Sequence, residues 1–291
     1  MPARSSVVDD GNLIVFGGRS ATELTKRICT VLDMQPGAAR VTEFPDGEIF
    51  VKLDEDVRGK DCYVVVSTCE PVNNNLMELL IFIDTMRRAS AGRITVVMPY
   101  MGYARQDRKD EGRVPITAKL VANLITAAGA HRVLALDLHA AQIQGFFDLP
   151  VDHLSATPEF IKYFRSCREQ LGELCLVSPD VGNVKVAEGM ANRLGGDLAI
   201  INKRRLSGSK VETGNLIGDV KGKTVLMFDD MISTAGTVCE AARLVMDKGA
   251  KDVIAAATHP VLVGPAVERL SNAPVVEVAV LSVGIYYVFK S

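Results

Sequence analysis

Thr224-Val-Leu-Met-Phe-Asp-Asp-Met-Ile-Ser-Thr-Ala-Gly-Thr237 carries the clearest indication of fold class in this sequence. Its apolar run at 225–228 is short and clearly bounded, which is typical of a strand buried in a parallel sheet. Two carboxylates, Asp229 and Asp230, follow the run. A loop of small and hydroxyl-bearing residues then leads into a helical pattern that opens at Val238. A strand, a loop and a helix in this order predict one βα unit of an α/β protein.

The same stretch predicts a binding site for a phosphorylated sugar. The loop at 233–237 would present backbone N–H groups and the positive end of a helix dipole, and together these hold a phosphate. Asp229 and Asp230 can accept hydrogen bonds from sugar hydroxyls and can approach a metal ion. The sequence therefore predicts a phosphate site next to a site for sugar hydroxyls.

Strand-like and helix-like segments alternate along the rest of the chain, which favours mostly parallel sheets. Further strands are predicted at 13–16, 48–53, 62–67, 94–98, 133–137, 174–177, 198–201, 253–257 and 275–280. Helices are predicted at 21–32, 74–89, 116–128, 158–168, 184–194, 237–247 and 265–270. We expect an α/β fold with two doubly wound domains, 1–153 and 154–284, and a last strand at 285–291 that can return to the first domain.

Composition excludes several classes of protein. Of the 291 residues, 48% are hydrophobic and 23% are charged, and the formal charge of −2 gives no electrostatic case for nucleic acid or an anionic membrane. No apolar run is long enough to span a bilayer, and no signal core follows the N-terminus, so a cytoplasmic location is expected. The 6 cysteines include no C-x-x-C pair and are interpreted as reduced, mostly buried thiols.

Charged residues follow several of the other predicted strands. Arg105, Arg108, Lys109 and Arg113 follow the strand at 94–98 and would suit either a polyphosphate or a solvated loop. His139 follows the strand at 133–137 and could ligate a metal or be a hydrogen-bonded core residue. In an open α/β sheet, ligands bind beyond the carboxyl ends of the strands, which raises the weight of the functional alternatives.

Three further motifs also have two interpretations each. Asp180 follows the strand at 174–177 and could bind a metal or cap the next helix. The cations at 203–205 are either surface residues or stabilisers of a transferring phosphoryl group. The segment at 43–48 has strong turn chemistry and could also place an aromatic ring and carboxylates against a purine. Taken together, the motifs indicate Mg²⁺-dependent phosphoryl chemistry on a phosphorylated sugar.

With these motifs in order, the chain closely resembles the ribose-phosphate pyrophosphokinases, also called phosphoribosyl pyrophosphate synthetases, of the phosphate-activated class. The matching segments are 103–108, 115–119, 137–140, 142–147, 177–180, 203–205, 229–231, 234–237 and 258–260. The loop after Asp229 by itself would indicate only the wider phosphoribosyltransferase fold family. The resemblance implies that ATP and ribose 5-phosphate react to give AMP and phosphoribosyl pyrophosphate for nucleotide biosynthesis, with Mg²⁺ as cofactor and inorganic phosphate as activator.

The resemblance also implies roles for individual residues. ATP would be bound by Phe44, Asp46, Glu48, Arg105, Gln106 and Asp110, the first three from a neighbouring subunit of a hexamer built from dimers. Mg²⁺ would be bound by His139 and Asp180. The catalytic cations would be Lys203 and Arg205. Ribose 5-phosphate would be held by Asp229, Asp230, Ser233, Thr234, Ala235, Gly236 and Thr237. Regulation by phosphate or ADP would involve Arg58 and Arg113.

Two departures from the family pattern keep an alternative open. Ser233 stands where the family usually has a third acid, and the chain ends soon after residue 280, where the family continues through a further loop and helix. A non-catalytic regulatory homologue that assembles with active subunits would show such changes. However, it would be expected to lose its metal-binding and cationic residues first, and these are present. A third alternative, a phosphoribosyltransferase, is disfavoured by the cation-rich loop at 105–113 (the Arg105 loop) and by the two-domain layout.

Overall fold

The computed structural model describes residues 12–179, 182–202, 215–282 and 285–290. The chain divides into two compact units, Met1–Leu154 and Ser155–Ser291. Each unit has its own sheet and its own hydrophobic core. In the described part of the chain, none of the helices combines the length and the apolar character that crossing a membrane requires.

The N-terminal unit is built on a five-stranded sheet in the order β1-β4-β5-β6-β7, in which every neighbouring pair is parallel. Its strands are β1 (Leu13–Gly17), β4 (Asp61–Val65), β5 (Arg93–Met98), β6 (Arg132–Leu136) and β7 (Val151–Leu154). A separate antiparallel hairpin is formed by β2 (Ala39–Glu43) and β3 (Ile49–Leu53).

The helices of the N-terminal unit are α1 (Thr22–Val31), α2 (Val72–Arg88) and α3 (Thr117–Ala128), with 3₁₀ turns at Arg19–Ala21 and Ala141–Phe146. Helix α2 buries Leu79, Phe82, Ile83 and Met86, which recur at helical spacing and therefore form one face against the sheet. The same helix also buries Glu78, a carboxylate that the apolar pattern does not predict.

The C-terminal unit is built on a seven-stranded sheet in the order β10-β9-β8-β11-β12-β13-β14. Its strands are β8 (Leu174–Ser178), β9 (Asp197–Asn202), β10 (Asn215–Ile217), β11 (Thr224–Ile232), β12 (Asp252–Pro260), β13 (Glu277–Ser282) and β14 (Ile285–Lys290). The five inner strands are parallel, and the two edge strands are antiparallel. The strand order reverses between β8 and β11, where an open α/β sheet forms its binding crevice.

The helices of the C-terminal unit are α4 (Thr157–Ser166), α5 (Arg168–Leu171), α6 (Val184–Leu194), α7 (Gly236–Asp247) and α8 (Ala266–Ser271). Phe160 on α4 packs edge-on against Phe228 on β11, with ring centroids 4.8 Å apart. The prediction of an α/β protein with mostly parallel sheets is confirmed, because β2–β3 and the two edge strands are the antiparallel exceptions among the described strands.

Two sequence-based predictions about strands are wrong. The strand predicted at 225–228 does not end at Phe228 but continues to Ile232. Its backbone remains paired with β12 through Asp229↔Ala257 and Met231↔His259. The last strand does not return to the N-terminal unit. Instead, β14 pairs antiparallel with β13, the strand that precedes it in the sequence, and this pairing has a small loop-closure cost.

Candidate functional site

The acid pair of the C-terminal unit lies on the last part of β11. Asp229 and Asp230 are half-buried, and an Asp229 carboxylate oxygen accepts a hydrogen bond of 2.9 Å from the backbone N–H of Asp230. Strand pairing fixes the backbone of Asp229 and therefore the direction of its Cα–Cβ bond. The strand thus holds both carboxylates beside the reversal of strand order.

The loop after the acid pair is held mainly by backbone hydrogen bonds. The N–H of Leu262 donates to the carbonyl oxygen of Ile232 at 3.0 Å, and the N–H of Val263 donates to that of Ser233 at 3.1 Å. Leu262 has φ +47°, so the chain turns sharply after β12 to reach these carbonyls. The segment that follows β12 therefore forms one wall of the loop.

Helix α7 begins in a geometry that suits an anion. Ala235, its N-cap, has left-handed φ 58° and ψ 7°, no side chain caps the helix, and its first turn contains no acid. The first N–H groups of a helix have no partner one turn earlier, so those of Gly236 and Thr237 are directed towards a ligand at this end. Thr234 and Thr237 are exposed and add hydroxyl donors.

Arg269 is a residue near this loop that the sequence interpretation missed. Its Nη1 donates to the carbonyl oxygen of Thr234 at 3.0 Å, across 35 positions in the sequence. A Cβ atom built on Gly236 would lie 3.5 Å from the same nitrogen. No pattern around Arg269 points to the loop, because only the packing of α8 places it there. The guanidinium adds positive charge where the loop would hold a phosphate.

A side-chain hydrogen bond crosses the crevice between β8 and β11. Asn183, the residue before α6, donates from Nδ2 to the carbonyl oxygen of Phe228 at 2.6 Å. This bond ties the segment after β8 to the strand that carries the acid pair. Asp180, Lys203 and Arg205, which were predicted to bind metal and to act in catalysis, lie outside the described residues.

The loop between β5 and α3 carries the predicted ATP contacts Arg105, Gln106 and Asp110. Gln106 is fixed at two atoms, since its Oε1 accepts from the hydroxyl of Thr117 at 2.5 Å and its carbonyl oxygen accepts from the N–H of Ala118 at 3.1 Å. The Arg105 side chain is exposed at the loop's edge. Asp110 forms an ion pair of 2.9 Å with Arg108 in which both side chains are 75% exposed.

The predicted metal ligand His139 lies after β6 and is exposed. The segment before it turns at Asp137, which has φ +36°, and the N–H of Leu138 donates to Nε2 of His153 at 3.0 Å. The 3₁₀ turn that follows is joined to the Arg105 loop, because Nε2 of Gln142 donates to Asp107 at 2.8 Å. The structure thus connects the His139 segment to the Arg105 loop within one unit.

The β2–β3 hairpin presents Phe44, Asp46 and Glu48, and all three are exposed. The predicted turn at this position is confirmed, because the N–H of Gly47 donates to the carbonyl oxygen of Phe44 at 2.8 Å. The Asp46 carboxylate accepts from the N–H of Glu48 at 3.2 Å, so this residue also stabilises the turn. Phe44 is 51% exposed and contacts the ring of Phe50 edge-on.

The two residues predicted to bind a regulator lie at turns. Arg58 precedes β4, where its backbone N–H donates to Asp56 at 3.0 Å and its Nη1 reaches the hydroxyl of Ser90 at 3.4 Å. Arg113 is exposed in the loop before α3 and has left-handed φ 65°. Both guanidinium groups are accessible to an anion.

Comparison with known proteins places this arrangement in a family. Residues 13–129 match the family model of the N-terminal domain of ribose phosphate pyrophosphokinase, and residues 155–282 match that of the phosphoribosyl transferase domain. The chain is 58% identical over 269 residues to a ribose-phosphate pyrophosphokinase of Rhodopirellula baltica, covering 92% of this chain and 85% of that protein. It is 50% identical over 276 residues to that of Bacillus subtilis, covering 95% and 86%.

A solved structure supports the same assignment. The phosphoribosylpyrophosphate synthetase from Mycobacterium smegmatis superposes with a TM-score of 0.87 at 47% identity, covering 92% of this chain and 88% of that one. Both family models, the curated relatives and the solved fold therefore agree across the two units. The chain belongs to the ribose-phosphate pyrophosphokinase family of enzymes.

Proposed function

We propose that this protein transfers the diphosphoryl group of ATP to the anomeric hydroxyl of ribose 5-phosphate, giving AMP and phosphoribosyl pyrophosphate. The observation that carries the proposal is the acid pair on β11 followed by the uncapped start of α7. These features occur in a chain that also matches the family's N-terminal domain. A phosphoribosyltransferase would need the acid pair and the start of α7, but not the N-terminal domain.

In the proposed sugar site, the carboxylates of Asp229 and Asp230 accept hydrogen bonds from the ribose hydroxyls. The loop 233–237 receives the 5-phosphate through the first N–H groups of α7 and the hydroxyls of Thr234 and Thr237. Holding the sugar at both ends fixes the position of its anomeric oxygen. Such positioning accounts for much of the rate gain in a reaction between two bound substrates.

In the proposed nucleotide site, Arg105 and Gln106 bind ATP from the β5–α3 loop. The aromatic ring of Phe44 and the carboxylates of Asp46 and Glu48 bind its adenosine part from the hairpin, with Asp110 nearby. The bonds from Thr117 and Ala118 keep Gln106 fixed before ATP arrives. Arg105 supplies a planar fork of donors that suits phosphate oxygens.

Mg²⁺ is the cofactor that we propose, and the available donors suit it. Mg²⁺ commonly binds through one or two carboxylates together with substrate phosphates and water. Within the described ranges, no group of three or more His, Cys, Asp or Glu side chains could hold a metal without substrate. The half-buried acid pair offers oxygen donors, and His139 and Asp180 stay predicted ligands. When bound, the ion would neutralise charge on the ATP phosphates.

The proposed reaction is an in-line displacement at the β-phosphorus of ATP. The anomeric oxygen forms a bond to that phosphorus, and the bond from it to the oxygen shared with the α-phosphorus breaks, so AMP leaves. The hydroxyl proton is released as the new bond forms. Lys203 and Arg205 are proposed to stabilise the charge on the transferring group.

The identity of the nucleotide product tests this proposal. Purified protein is incubated with ATP, Mg²⁺ and ribose 5-phosphate, and AMP and ADP are separated by anion-exchange chromatography. AMP that forms only with the sugar phosphate supports diphosphoryl transfer. ADP as product would refute it in favour of ordinary phosphoryl transfer. Absence of both products from folded protein would favour the non-catalytic regulatory homologue, and Ser233 would then be the first residue to test as the cause.

Phosphate activation and the regulatory residues are tested in the same assay. We propose that inorganic phosphate stimulates the reaction and that Arg58 and Arg113 contribute to this response. Arg58→Gln and Arg113→Gln should shift the phosphate activation curve to higher concentration without changing the products. Equal activation curves for the variants and the parent would remove these residues from the regulatory site.

We also propose that the protein assembles as a hexamer built from dimers, in which the hairpin serves the site of a neighbouring subunit. The exposed rings of Phe44 and Phe50 on the hairpin are consistent with burial against a second copy. Phe44→Ala and Asp230→Asn are each expected to have little activity alone. Mixing the two proteins should then restore roughly a quarter of the parent activity, because random assortment leaves one intact site in each mixed dimer. No restored activity after verified subunit exchange would refute the shared site. Analytical ultracentrifugation gives the assembly size.

A further inference from the structure

Arg19 connects three parts of the N-terminal unit through two carboxylates. It stands just after β1, and its Nε donates to Glu78 at 2.6 Å while its Nη1 donates to Glu43 at 2.6 Å. The Glu78 side chain on α2 has an exposed fraction of 0%, whereas those of Arg19 and Glu43 are each 41% exposed. One end of the arginine is therefore anchored in the interior and the other end reaches the hairpin.

The anchor on the Glu78 side is built into the backbone. The second oxygen of Glu78 accepts a hydrogen bond of 2.7 Å from the backbone N–H of Arg19. A Cβ atom on Gly18 would lie 2.7 Å from that oxygen, so only glycine lets the carboxylate approach the chain so closely. A buried carboxylate without a cation is costly, which keeps Arg19 in place.

The other partner, Glu43, is the last residue of β2 and directly precedes Phe44. The hairpin rests on the core through Val41, Ile49 and Val51, but its loop at 44–48 extends into solvent. A two-stranded hairpin by itself is only marginally stable in water. The Arg19–Glu43 bond joins the base of the loop to β1 and α2, which both contribute side chains to the hydrophobic core of the unit.

We infer that Arg19 is a positioning residue for the nucleotide-binding loop at 44–48, which it holds through Glu43 while Glu78 holds Arg19. This inference rests on the proposed function, because it takes the loop to contact ATP. An ordinary exposed ion pair contributes little, since both side chains lose freedom when they meet. Here Glu78 has already ordered the guanidinium, so the bond to Glu43 restricts only one further side chain.

A simpler role for Arg19 would be to neutralise Glu78 and nothing more. Glu43→Ala separates the two roles, because it removes the bond to the hairpin and leaves the Arg19–Glu78 pair intact. Arg40→Met is the matched control. Arg40 lies on the same strand and pairs with Asp54 at 2.8 Å, but this bond joins the two ends of the hairpin to each other and does not reach α2.

The decisive measurement is the full kinetic description of Glu43→Ala and Arg40→Met beside the parent. Glu43→Ala should raise KM for ATP about three- to ten-fold, while kcat and KM for ribose 5-phosphate stay within two-fold, in line with the loss of one partly exposed charged hydrogen bond. Arg40→Met should leave all three constants near those of the parent. An unchanged KM for ATP in Glu43→Ala, or an equal rise in Arg40→Met, would overturn the inference.

A second measurement reports the loop itself. The chain contains 0 tryptophans, so Phe44→Trp places a single fluorophore on the loop. In this background, Glu43→Ala should lower the fluorescence anisotropy of Trp and increase its quenching by acrylamide, and Arg40→Met should do neither. Unchanged anisotropy and quenching would overturn the inference even if KM rises. Failure of the proposed function would appear separately, as absence of AMP from the unmodified enzyme.

Discussion

The proposed sugar-phosphate loop of the C-terminal unit and the proposed nucleotide loops of the N-terminal unit are held in place by different kinds of bond. The loop after β11 is fixed by backbone hydrogen bonds from Leu262 and Val263 and by the left-handed Ala235. The hairpin and the Arg105 loop depend on side chains, such as Arg19 bound to Glu43 and Tyr103 bound to Asn73. The first loop is held mainly by backbone bonds, with a further bond from the Arg269 side chain, whereas side-chain bonds tie the second set of loops to the rest of its unit.

This difference has a consequence for how the two sites respond to mutation. A loop fixed by its backbone keeps its shape when a side chain in it is replaced, so such a change removes only the chemistry of that side chain. A loop held by side-chain bonds moves when a distant partner is replaced, so its affinity for ligand changes without loss of any ligand contact.

The largest change in catalytic efficiency is expected for Asp230→Asn. The substitution keeps the size of the side chain and the backbone of β11, but it removes the negative charge that we propose accepts hydrogen bonds from the sugar hydroxyls. We expect kcat/KM for ribose 5-phosphate to fall about 100-fold, which corresponds to loss of charged hydrogen bonds worth about 3 kcal/mol. KM for ATP and the unfolding temperature should stay close to those of the parent.

Asp252→Asn is the control for this prediction. Asp252 begins β12, the strand paired with β11, and its side chain is 38% exposed beside Lys251. Because it lies at the opposite end of the strand from the loop, its replacement should change neither KM. A lowered unfolding temperature in Asp230→Asn would contradict this prediction, since it would mean that the Asp230 side chain also holds the loop in place.

The second prediction uses pH to show that the two cores behave alike although the loops differ. Burial raises the pKa of Cys62 on β4 and of Cys175 on β8 from 9.0 to about 11. Below pH 9 both thiols are neutral in the folded and unfolded chain, and their full contribution to stability is present. Between pH 9 and 11 only the unfolded chain loses protons, so stability falls by about 1.4 kcal/mol per pH unit for each thiol.

Urea unfolding followed by circular dichroism between pH 8 and pH 10.5 measures this loss. In both Cys62→Ala and Cys175→Ala, the free energy of unfolding should fall less steeply with pH than in the parent, and by a similar amount. This holds whatever stability each variant loses at pH 8. If the free energy of unfolding falls as steeply in both variants as in the parent, other titrating groups determine the loss of stability at alkaline pH.

The third prediction concerns the Arg105 loop. The hydroxyl of Tyr103 donates to Oδ1 of Asn73 at the start of α2. Tyr103→Phe removes this bond and no proposed ligand contact, so KM for ATP should rise about three- to five-fold, as expected for one exposed hydrogen bond. Steady-state kinetics with saturating ribose 5-phosphate measures the change, and an unaltered KM would show that the loop does not depend on its side-chain bonds.

Tyr163→Phe provides the control in the other unit. The hydroxyl of Tyr163 donates to Glu277 at 2.6 Å, and burial, followed by this bond, raises the pKa of Tyr163. Its loss should lower the unfolding temperature, because the carboxylate of Glu277 loses a partner in a half-buried position. KM for ATP should not change, since this bond joins α4 to β13 and touches no nucleotide loop.

The same contrast explains what could be predicted from the sequence. The βα unit around Asp229 was predictable because its strand, acids, loop and helix are contiguous. The strand's extension to Ile232 was not, because it depends on pairing with β12. Among side-chain contacts, Arg19 meets Glu43 across 24 positions and Glu78 across 59, and nothing in the sequence selects these partners from the other charged residues.

Strands with few buried residues were also missed. The strand β2 has no fully buried residue and pairs only with β3, so its sequence lacks the apolar pattern that predicts a strand. The strand β7 has 4 residues, which is too few to show a period. The inner strands of both sheets were found because two-sided burial makes them continuously apolar.

The smallest expected effect concerns Ser233, where the family resemblance leads us to expect an acid. Ser233 is half-buried, and its carbonyl oxygen is bonded to the N–H of Val263. Since the backbone holds this position, Ser233→Asp should leave the loop in place and change only its charge. An added carboxylate should strengthen the hold on the sugar hydroxyls, but it also repels Asp229 and Asp230, so we expect a gain in kcat/KM for ribose 5-phosphate within about three-fold. Ser233→Asn is the neutral control of similar size. A gain in the aspartate variant alone would assign the effect to charge, and an equal gain in both would assign it to reach. No gain in either variant would mean that Asp229 and Asp230 suffice for the sugar.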